Sequence, residues 1–219
     1  MTFSIVGRDE RTGCLGIATA TGMIAVGAQV PHCAHGVGAI ITQGYATNTL
    51  FAQDGLPLLA QGNAAEEVLK TVVGRDEGRD YRQLAVMDAQ GRTACWTGSG
   101  NDGYKAHRDR RNLIVAGNLL TGPAVLAAME SAFEDYALDD MGDCLIAALQ
   151  AGRDAGGDVR GVCSAALVLD DGDGAAVNLR IDHSKTPIAD LRALYERSKD
   201  KDYRAFLKRL PDRDHPHRH

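Results

Sequence analysis

The sequence predicts an α+β fold, a four-layer αββα sandwich in which two stacked antiparallel sheets carry helices on both outer faces. Three observations lead there. The strands arrive as hairpins, and hairpins build antiparallel sheets. The strand segments are apolar with few alternating charges, so both faces of each sheet are covered. The order along the chain is strands, helices, strands, helices, strands, helix, which lacks the strand–helix alternation of a doubly wound parallel fold. The chain has 219 residues, 44% hydrophobic and 24% charged, close to the globular average. That predicts one domain over residues 1–210, followed by a charged, His-rich and mobile tail at 211–219.

Residues 2–7 read as the first strand, with Thr2, Ser4 and Val6 on one face and Phe3 and Ile5 on the other. A polar turn, 8–13, leads into a returning strand at 14–20, a hairpin signal. The apolar stretch 23–30 reads as a third strand stopped by Pro31, and 37–43 as a fourth. Residues 47–61 read as two short helices, because Gly55 and Pro57 interrupt the apolar pattern. Asn63-Ala64-Ala65-Glu66 resembles a capping box with Asn in place of Ser or Thr. The helix it opens carries Val68, Leu69, Val72 and Val73. Strands at 83–88 and 92–97 meet across Ala89-Gln90-Gly91. The polar, Gly-rich stretch 98–111 reads as a surface loop, and 112–116 as a strand.

Pro123 opens a helix with Val125, Leu126, Met129, Phe133 and Tyr136 on its buried face. Asp139 or Asp140 caps the next one, which carries Met141, Leu145, Ile146 and Leu149. A last hairpin joins 163–170 to 175–181 across Asp171-Gly172-Asp173-Gly174. Thr186-Pro187 then opens one long final helix reaching Leu207.

Composition narrows the function. A net charge of −5 does not suit tracking along phosphates. No apolar run approaches the roughly 18 residues of a membrane span. The start lacks the basic and apolar regions of a secretory signal, and the five scattered cysteines form no C-x-x-C pair. A cytoplasmic protein with reduced thiols is expected, with no nucleic-acid or membrane partner.

Chemistry concentrates at the second residue. Thr2 is small enough that cytosolic processing would remove Met1, leaving a hydroxyl and a free α-amine on one residue. An α-amine has a pKa of about 7.7–8.0, so nucleophile and base then coincide. Read from the residue alone, a threonine that merely suits a strand is the commoner explanation.

Several segments add to this: the opening Met-Thr-Phe-Ser-Ile-Val-Gly-Arg-Asp, Ala25-Val26-Gly27-Ala28, Gly36-Val37-Gly38-Ala39, Gly55-Leu56-Pro57-Leu58-Leu59, Gly117-Asn118-Leu119-Leu120-Thr121-Gly122-Pro123, Gly156-Gly157-Asp158 with Arg160-Gly161, and Ser164-Ala165-Ala166-Leu167. Together they resemble the bacterial domain-of-unknown-function family 1028, to about residue 195. The resemblance implies an N-terminal-nucleophile (Ntn) hydrolase-like fold, itself a four-layer αββα sandwich. It supplies no settled substrate or catalytic assignment, and fold alone supplies none. Cys163 departs from the polar residue the family more often has before Ser164.

In an Ntn fold the cleft between the sheets opens where the first strand begins. Ser4 shares the face of Thr2 and would orient its amine, or serve as nucleophile under different processing. Backbone N–H groups around Gly44, in Gln43-Gly44-Tyr45, suit an oxyanion, though an ordinary strand-to-helix turn explains them equally well. Asn118, between strand and glycine-rich turn, would polarise a carbonyl. Gln43, Asn48, His107, Asp158, Arg160 and Ser164 complete the set as substrate-binding candidates, with Arg160 suited to a carboxylate; for Asp158 and Arg160 a plain surface ion pair is the commoner explanation.

Other motifs are weaker. Gly98-Ser99-Gly100-Asn101-Asp102-Gly103 has dinucleotide-loop spacing but no following helix. Asp171-Gly172-Asp173-Gly174 lacks the remaining calcium ligands. His32-Cys33-Ala34-His35 lacks a fourth metal ligand. No metal and no cofactor are expected. The reading is an amidohydrolase acting on a small non-peptide or short-peptide C–N amide through Thr2. The alternatives are a non-catalytic Ntn-fold protein that binds a metabolite or protein partner, and, more weakly, a cysteine hydrolase using Cys33. A homo-oligomer is open by analogy only.

Overall fold

The structure is a computed structural model that describes residues 2–135, 140–172, 175–212 and 215–218. The readings made for Met1, Tyr136, Asp139, Asp173, Gly174 and His219 lie outside the described residues.

β1 (Thr2–Arg8) and β2 (Leu15–Thr21) form the expected hairpin. The next stretch differs from its reading. Residues 23–30 are not a strand: Ala25 has φ 59° and leads into a short 3-10 turn at Val26–Ala28. Pro31 then begins β3 (Pro31–Ala34) instead of ending a strand. Proline is tolerated there because β3 is an edge strand and Pro31 is its first residue. β4 (Gly38–Gly44) follows.

α1 (Leu50–Ala60) is one helix, not two. Pro57 removes a single N–H from it, while Phe51, Ala52, Gly55 and Leu59 stay buried. The glycine allows that closeness: a Cβ on Gly55 would lie 2.6 Å from Ile40 Cδ1. α2 (Ala65–Gly74) is capped one residue later than expected, with Glu67 Oε2 accepting from the Ala64 N–H at 3.1 Å. Asn63 instead donates to the Leu58 carbonyl at the end of α1, at 2.9 Å.

β5 (Arg82–Asp88) and β6 (Thr93–Thr97) pair as a hairpin. The stretch read as a loop contains β7 (Tyr104–Arg110), an edge strand rich in charged side chains. β8 (Leu113–Leu120) returns beside it. α3 (Ala124–Asp135) and α4 (Met141–Asp154) follow, and Asp140 caps α4 through the Asp143 N–H at 3.1 Å. β9 (Ser164–Asp170) and β10 (Val177–Ile181) make the last hairpin. The final helix is two, α5 (Pro187–Ser198) and α6 (Lys201–Leu207), because Asp200 leaves helical backbone and caps the second through the Asp202 N–H at 2.9 Å.

The larger sheet runs β10-β9-β2-β1-β8-β7 and the smaller β3-β4-β5-β6, antiparallel throughout. The layers follow from strand alternation. Phe3, Ile5, Ala18 and Ala20 face α3, α4 and α5. Val6, Ile17, Ile114 and Ala166 face Ala39, Ile41, Ala85 and Met87 of the other sheet. Ile40, Leu84 and Val86 face α1 and α2. This is the four-layer αββα sandwich. β1 therefore starts the chain's structure in the middle of a sheet, with a neighbour on each side. Among the described residues no helix is long and apolar enough to cross a membrane.

Candidate functional site

The inter-sheet layer is apolar along most of its length and polar at one end. Register places Ser164, Thr21 and Thr2 side by side on β9, β2 and β1. Asn118 follows Gly117, the partner of Phe3, and so flanks Thr2 from β8. One step deeper, Thr19, Ser4, Ala116 and His107 are aligned in the same way. The facing sheet answers with Gln43, Gln83 and Thr97 in register on β4, β5 and β6. Thr2 is 5% exposed, and Ser4, Gln43, Gln83 and Asn118 are completely buried.

Buried polar groups of this kind need partners, and here the partners fix the direction of the bonds around Gln83, Gln43 and Ser4. The two protons of Gln83 Nε2 are shared among three acceptors, the backbone carbonyls Ala106 O at 3.0 Å and Gly117 O at 2.9 Å and the hydroxyl Thr97 Oγ1 at 2.9 Å. A carbonyl cannot donate, so the Gln83 amide cannot flip and its Oε1 is an acceptor. That oxygen receives Gln43 Nε2 at 2.7 Å and Asn118 Nδ2 at 2.9 Å. Gln43 Oε1 then receives the Ser4 hydroxyl at 2.7 Å. With its one proton spent, Ser4 accepts from Thr19 Oγ1 at 2.8 Å. Thr97 Oγ1 also meets His107 Nδ1 at 2.9 Å, which ties a half-buried histidine to the network.

These directions bear on the expected roles. Ser4 donates to an amide oxygen, a group too weakly basic to activate a nucleophile, so its geometry is that of a support. Asn118 spends an N–H on Gln83, while its Oδ1 is buried with no hydrogen-bond partner among the described residues. Thr2 Oγ1 lies 3.4 Å from Thr21 Oγ1, and Gln43 Nε2 reaches the Thr2 carbonyl at 3.5 Å. The Tyr45 N–H beside Gly44 is taken by Asn101 Oδ1 at 2.7 Å.

The remaining candidates frame this end. Ser164 Oγ donates to the Met23 carbonyl at 2.6 Å and accepts from the Val26 N–H at 3.2 Å, fixing the turn after β2. Asp158 accepts from the Gly22 N–H at 2.8 Å and pairs with Arg160 Nη2 at 2.7 Å. Its side chain is fully buried, so it clamps the same turn to the loop before β9. Asn48 stands apart from the network. Its Nδ2 donates to Asp76 at 2.9 Å and its Oδ1 accepts from the Leu50 N–H at 3.1 Å, at the start of α1. Around the polar end lie exposed Met23, Ile24, Val159, Tyr45 and Tyr81, an apolar rim above an uncharged floor. Two clefts of about 260 and 330 Å³ open at the opposite end of the sheets, by Cys14 and Tyr195 and by Arg8 and Arg111, and Thr2 lines neither.

Asp76 holds the rim from below. Burial pushes its carboxyl up, but bonds from Arg82, Asn48 and the Gly78 N–H outweigh that and hold it below its ordinary value. A depressed carboxylate stabilises the fold above its unfolded pKa of about 3.9, and that stability is lost as pH falls through the native value. Asp76→Asn is therefore expected to melt earlier than the wild type at pH 7, with the gap closing below about pH 4. Thermal melts across pH 3–7 check this; a gap independent of pH would contradict it.

The sequence singled out neither Gln83, the hub of the network, nor Asn101, whose Nδ2 donates to the carbonyls of Arg82 at 2.9 Å and Gly98 at 3.0 Å. A glutamine opening the run Gln83-Leu84-Ala85-Val86-Met87 was the available signal for the first. Burial, with Asp170 nearby, pushes the Cys33 thiol up to about 12, the wrong direction for a nucleophilic thiolate.

A threonine that begins a central strand, between two sheets whose facing ends are polar, defines an αββα sandwich with an N-terminal candidate site. The chain belongs to the family of unknown function DUF1028, whose family model matches residues 2–191. A crystal structure of a Silicibacter pomeroyi protein described with the same family is 36% identical, with a TM-score of 0.93 over 99% of this chain and 98% of that one. Anbu (ancestral beta-subunit) from Yersinia bercovieri is 13% identical, with a TM-score of 0.39 over 96% of this chain and 98% of that one, a likeness too distant to bear on activity. No curated protein matches the sequence.

Proposed function

We propose that the protein is an Ntn-type amidohydrolase that uses Thr2 after removal of Met1. The observation that carries this reading is the position of Thr2 Oγ1. Thr2 is 5% exposed at the head of a central strand, with its hydroxyl beside Thr21 Oγ1 at the polar end of the inter-sheet layer. In this reading Thr2 Oγ attacks the carbonyl carbon of a small amide, and its proton passes through water to the α-amine. The C–N bond breaks, the departing nitrogen takes that proton, and an acyl ester remains on Thr2. Water, activated by the same amine, hydrolyses the ester and releases the acid. The Gly44 N–H serves as the oxyanion donor. Met23, Ile24, Val159 and the two tyrosines Tyr45 and Tyr81 offer apolar surface to the rest of a short, uncharged substrate.

The test combines mass and chemistry. Intact mass should show Met1 absent, an electrophilic probe for terminal threonine should label residue 2, and Thr2→Ala should stay folded without hydrolysing an amide panel. Stoichiometric Met1 in active protein would sink the reading.

A second reading is favoured by one observation: the connected side chains of Ser4, Gln43, Gln83 and Asn118, which reach the Thr2 carbonyl, carry no charge, and among the described residues no lysine is bonded to them. In that reading the same end binds an uncharged metabolite without cleaving it. Saturable binding of an intact amide, with no labelling of a demonstrably free Thr2, would favour it.

A further inference from the structure

We infer that Asn118 is a positioning residue for the α-amine of Thr2, acting through Oδ1 as an acceptor, and is not the oxyanion donor its residue type suggests. This rests on the reading of Thr2 as the terminal residue of the processed chain.

Two backbone carbonyls set the orientation of Asn118. Ala106 O and Gly117 O belong to β7 and β8 and accept from Gln83 Nε2 at 3.0 and 2.9 Å. They hold Gln83 Oε1 as an acceptor, which claims an N–H of Asn118 at 2.9 Å. An amide that gives its nitrogen to one neighbour turns its oxygen away from it. That oxygen is buried without a partner among the described residues, on a side chain with no solvent exposure. An acceptor left unpaired in such a place is destabilising, and a catalytic role is one of the reasons a native structure keeps one.

Position says which group that is. Asn118 shares the inter-sheet face with Ala116 and follows Gly117, the partner of Phe3, so the next residue across the ladder is Thr2. The backbone holds Asn118 there at some strain: Leu119, next in the chain, has φ 49°, a conformation uncommon outside glycine, and is kept in it by bonds to Asp102 O at 2.9 Å and from the Val159 N–H at 3.3 Å. Ser4, the other neighbour expected to orient the amine, has both its proton and an acceptor position committed to Gln43 and Thr19. Removal of Met1 turns the Thr2 nitrogen from a one-proton amide into an amine with protons to spare. An acceptor beside it then aims those protons at Asn118 and the lone pair elsewhere.

An acceptor favours the charged ammonium over the neutral amine, so it raises the pKa of the Thr2 amine. Protein carrying 13C at the threonine α-carbons reports this directly, since only a terminal threonine titrates near neutral pH. Asn118→Asp, which adds charge to the acceptor, should move the midpoint up by about 1 unit, and Asn118→Leu should move it down by a similar amount. A residue that only filled space would leave the Asn118→Leu midpoint at the wild-type value, whereas Asn118→Asp would move it by charge alone; an unchanged Asn118→Leu midpoint overturns the inference while leaving Thr2 as the proposed nucleophile. A chain in which no threonine titrates because Met1 is retained overturns both. If neither variant folds, a crystal structure of the processed wild type decides: Thr2 N within about 3.2 Å of Asn118 Oδ1 supports the inference, and separation beyond hydrogen-bond range ends it.

Discussion

Gln83→Leu is expected to lower the thermal unfolding midpoint by about 8–16 °C, at about 2–4 °C per kcal/mol for a chain of this size. Leucine fills much the same volume, so the loss is one of partners and not of packing. Two buried donors, Gln43 Nε2 and Asn118 Nδ2, lose their acceptor, and Ala106 O, Gly117 O and Thr97 Oγ1 lose a donor. Each group left unsatisfied costs about 1–3 kcal/mol, and loss of both acceptor bonds alone brings the total to about 4 kcal/mol. The network also predicts coupling: Gln43→Met added to Gln83→Leu should cost much less than the sum of the two, since the first change has already broken their shared bond. Differential scanning calorimetry of the two single variants and the double variant reads this directly. A midpoint within 2 °C of wild type, or strict additivity, would show that the network contributes little.

Gly44→Val is expected to abolish folding, and Gly44→Ala to cost about 3 kcal/mol or more. Gly44 has φ 134°, a conformation side chains rarely adopt. A Cβ there would lie 2.6 Å from Tyr81 O, 2.9 Å from Arg82 Cα and 2.9 Å from Gln83 N, all of it backbone. A flexible side chain can turn away, whereas the ladder between β4 and β5 cannot yield without separating Gln43 from Gln83. The control is Gly74→Ala at the end of α2, where a Cβ meets nothing within 4 Å. That change should be neutral or slightly stabilising, because it removes freedom only from the unfolded chain. Soluble yield and chemical denaturation separate the cases, and a Gly44→Ala protein as stable as Gly74→Ala would refute the argument.

Short-range patterns were legible in the sequence. The alternation Thr2, Ser4, Val6 against Phe3, Ile5 told which residues of β1 share a face, because the side-chain period of a strand leaves no third option; which face meets the other sheet came from the packing. Hairpin turns and apolar strands gave the layer order. Edge positions were harder: β7 carries Lys105, His107, Arg108, Asp109 and Arg110, and an edge strand that keeps charge to discourage pairing with other chains looks like a loop when read alone. Pro31 looked like a stop because its edge position depends on which strands pair. At the site, Thr2, Ser4, Gln43, Asn118 and His107 do come together. Asn48 does not, since its polar atoms serve the start of α1. What one chain of letters could not display was direction. Whether Asn118 offers a donor or an acceptor depends on Gln83, 35 positions away on the other sheet, and on the carbonyls that hold Gln83, those of Ala106 on β7 and Gly117 on β8.

The central place of β1 also has a consequence in time. Its first neighbour, β2, is complete by residue 21, but its second, β8, begins only at Leu113. At synthesis rates of about 5–20 residues per second, the interval between them is on the order of 10 s. Through that interval one edge of β1 has no partner, and the first residues are within reach of whatever trims a nascent chain. Once β8 docks, the same residues are enclosed from both sides. Under the role proposed for Thr2, Met1 has to be removed before that strand arrives.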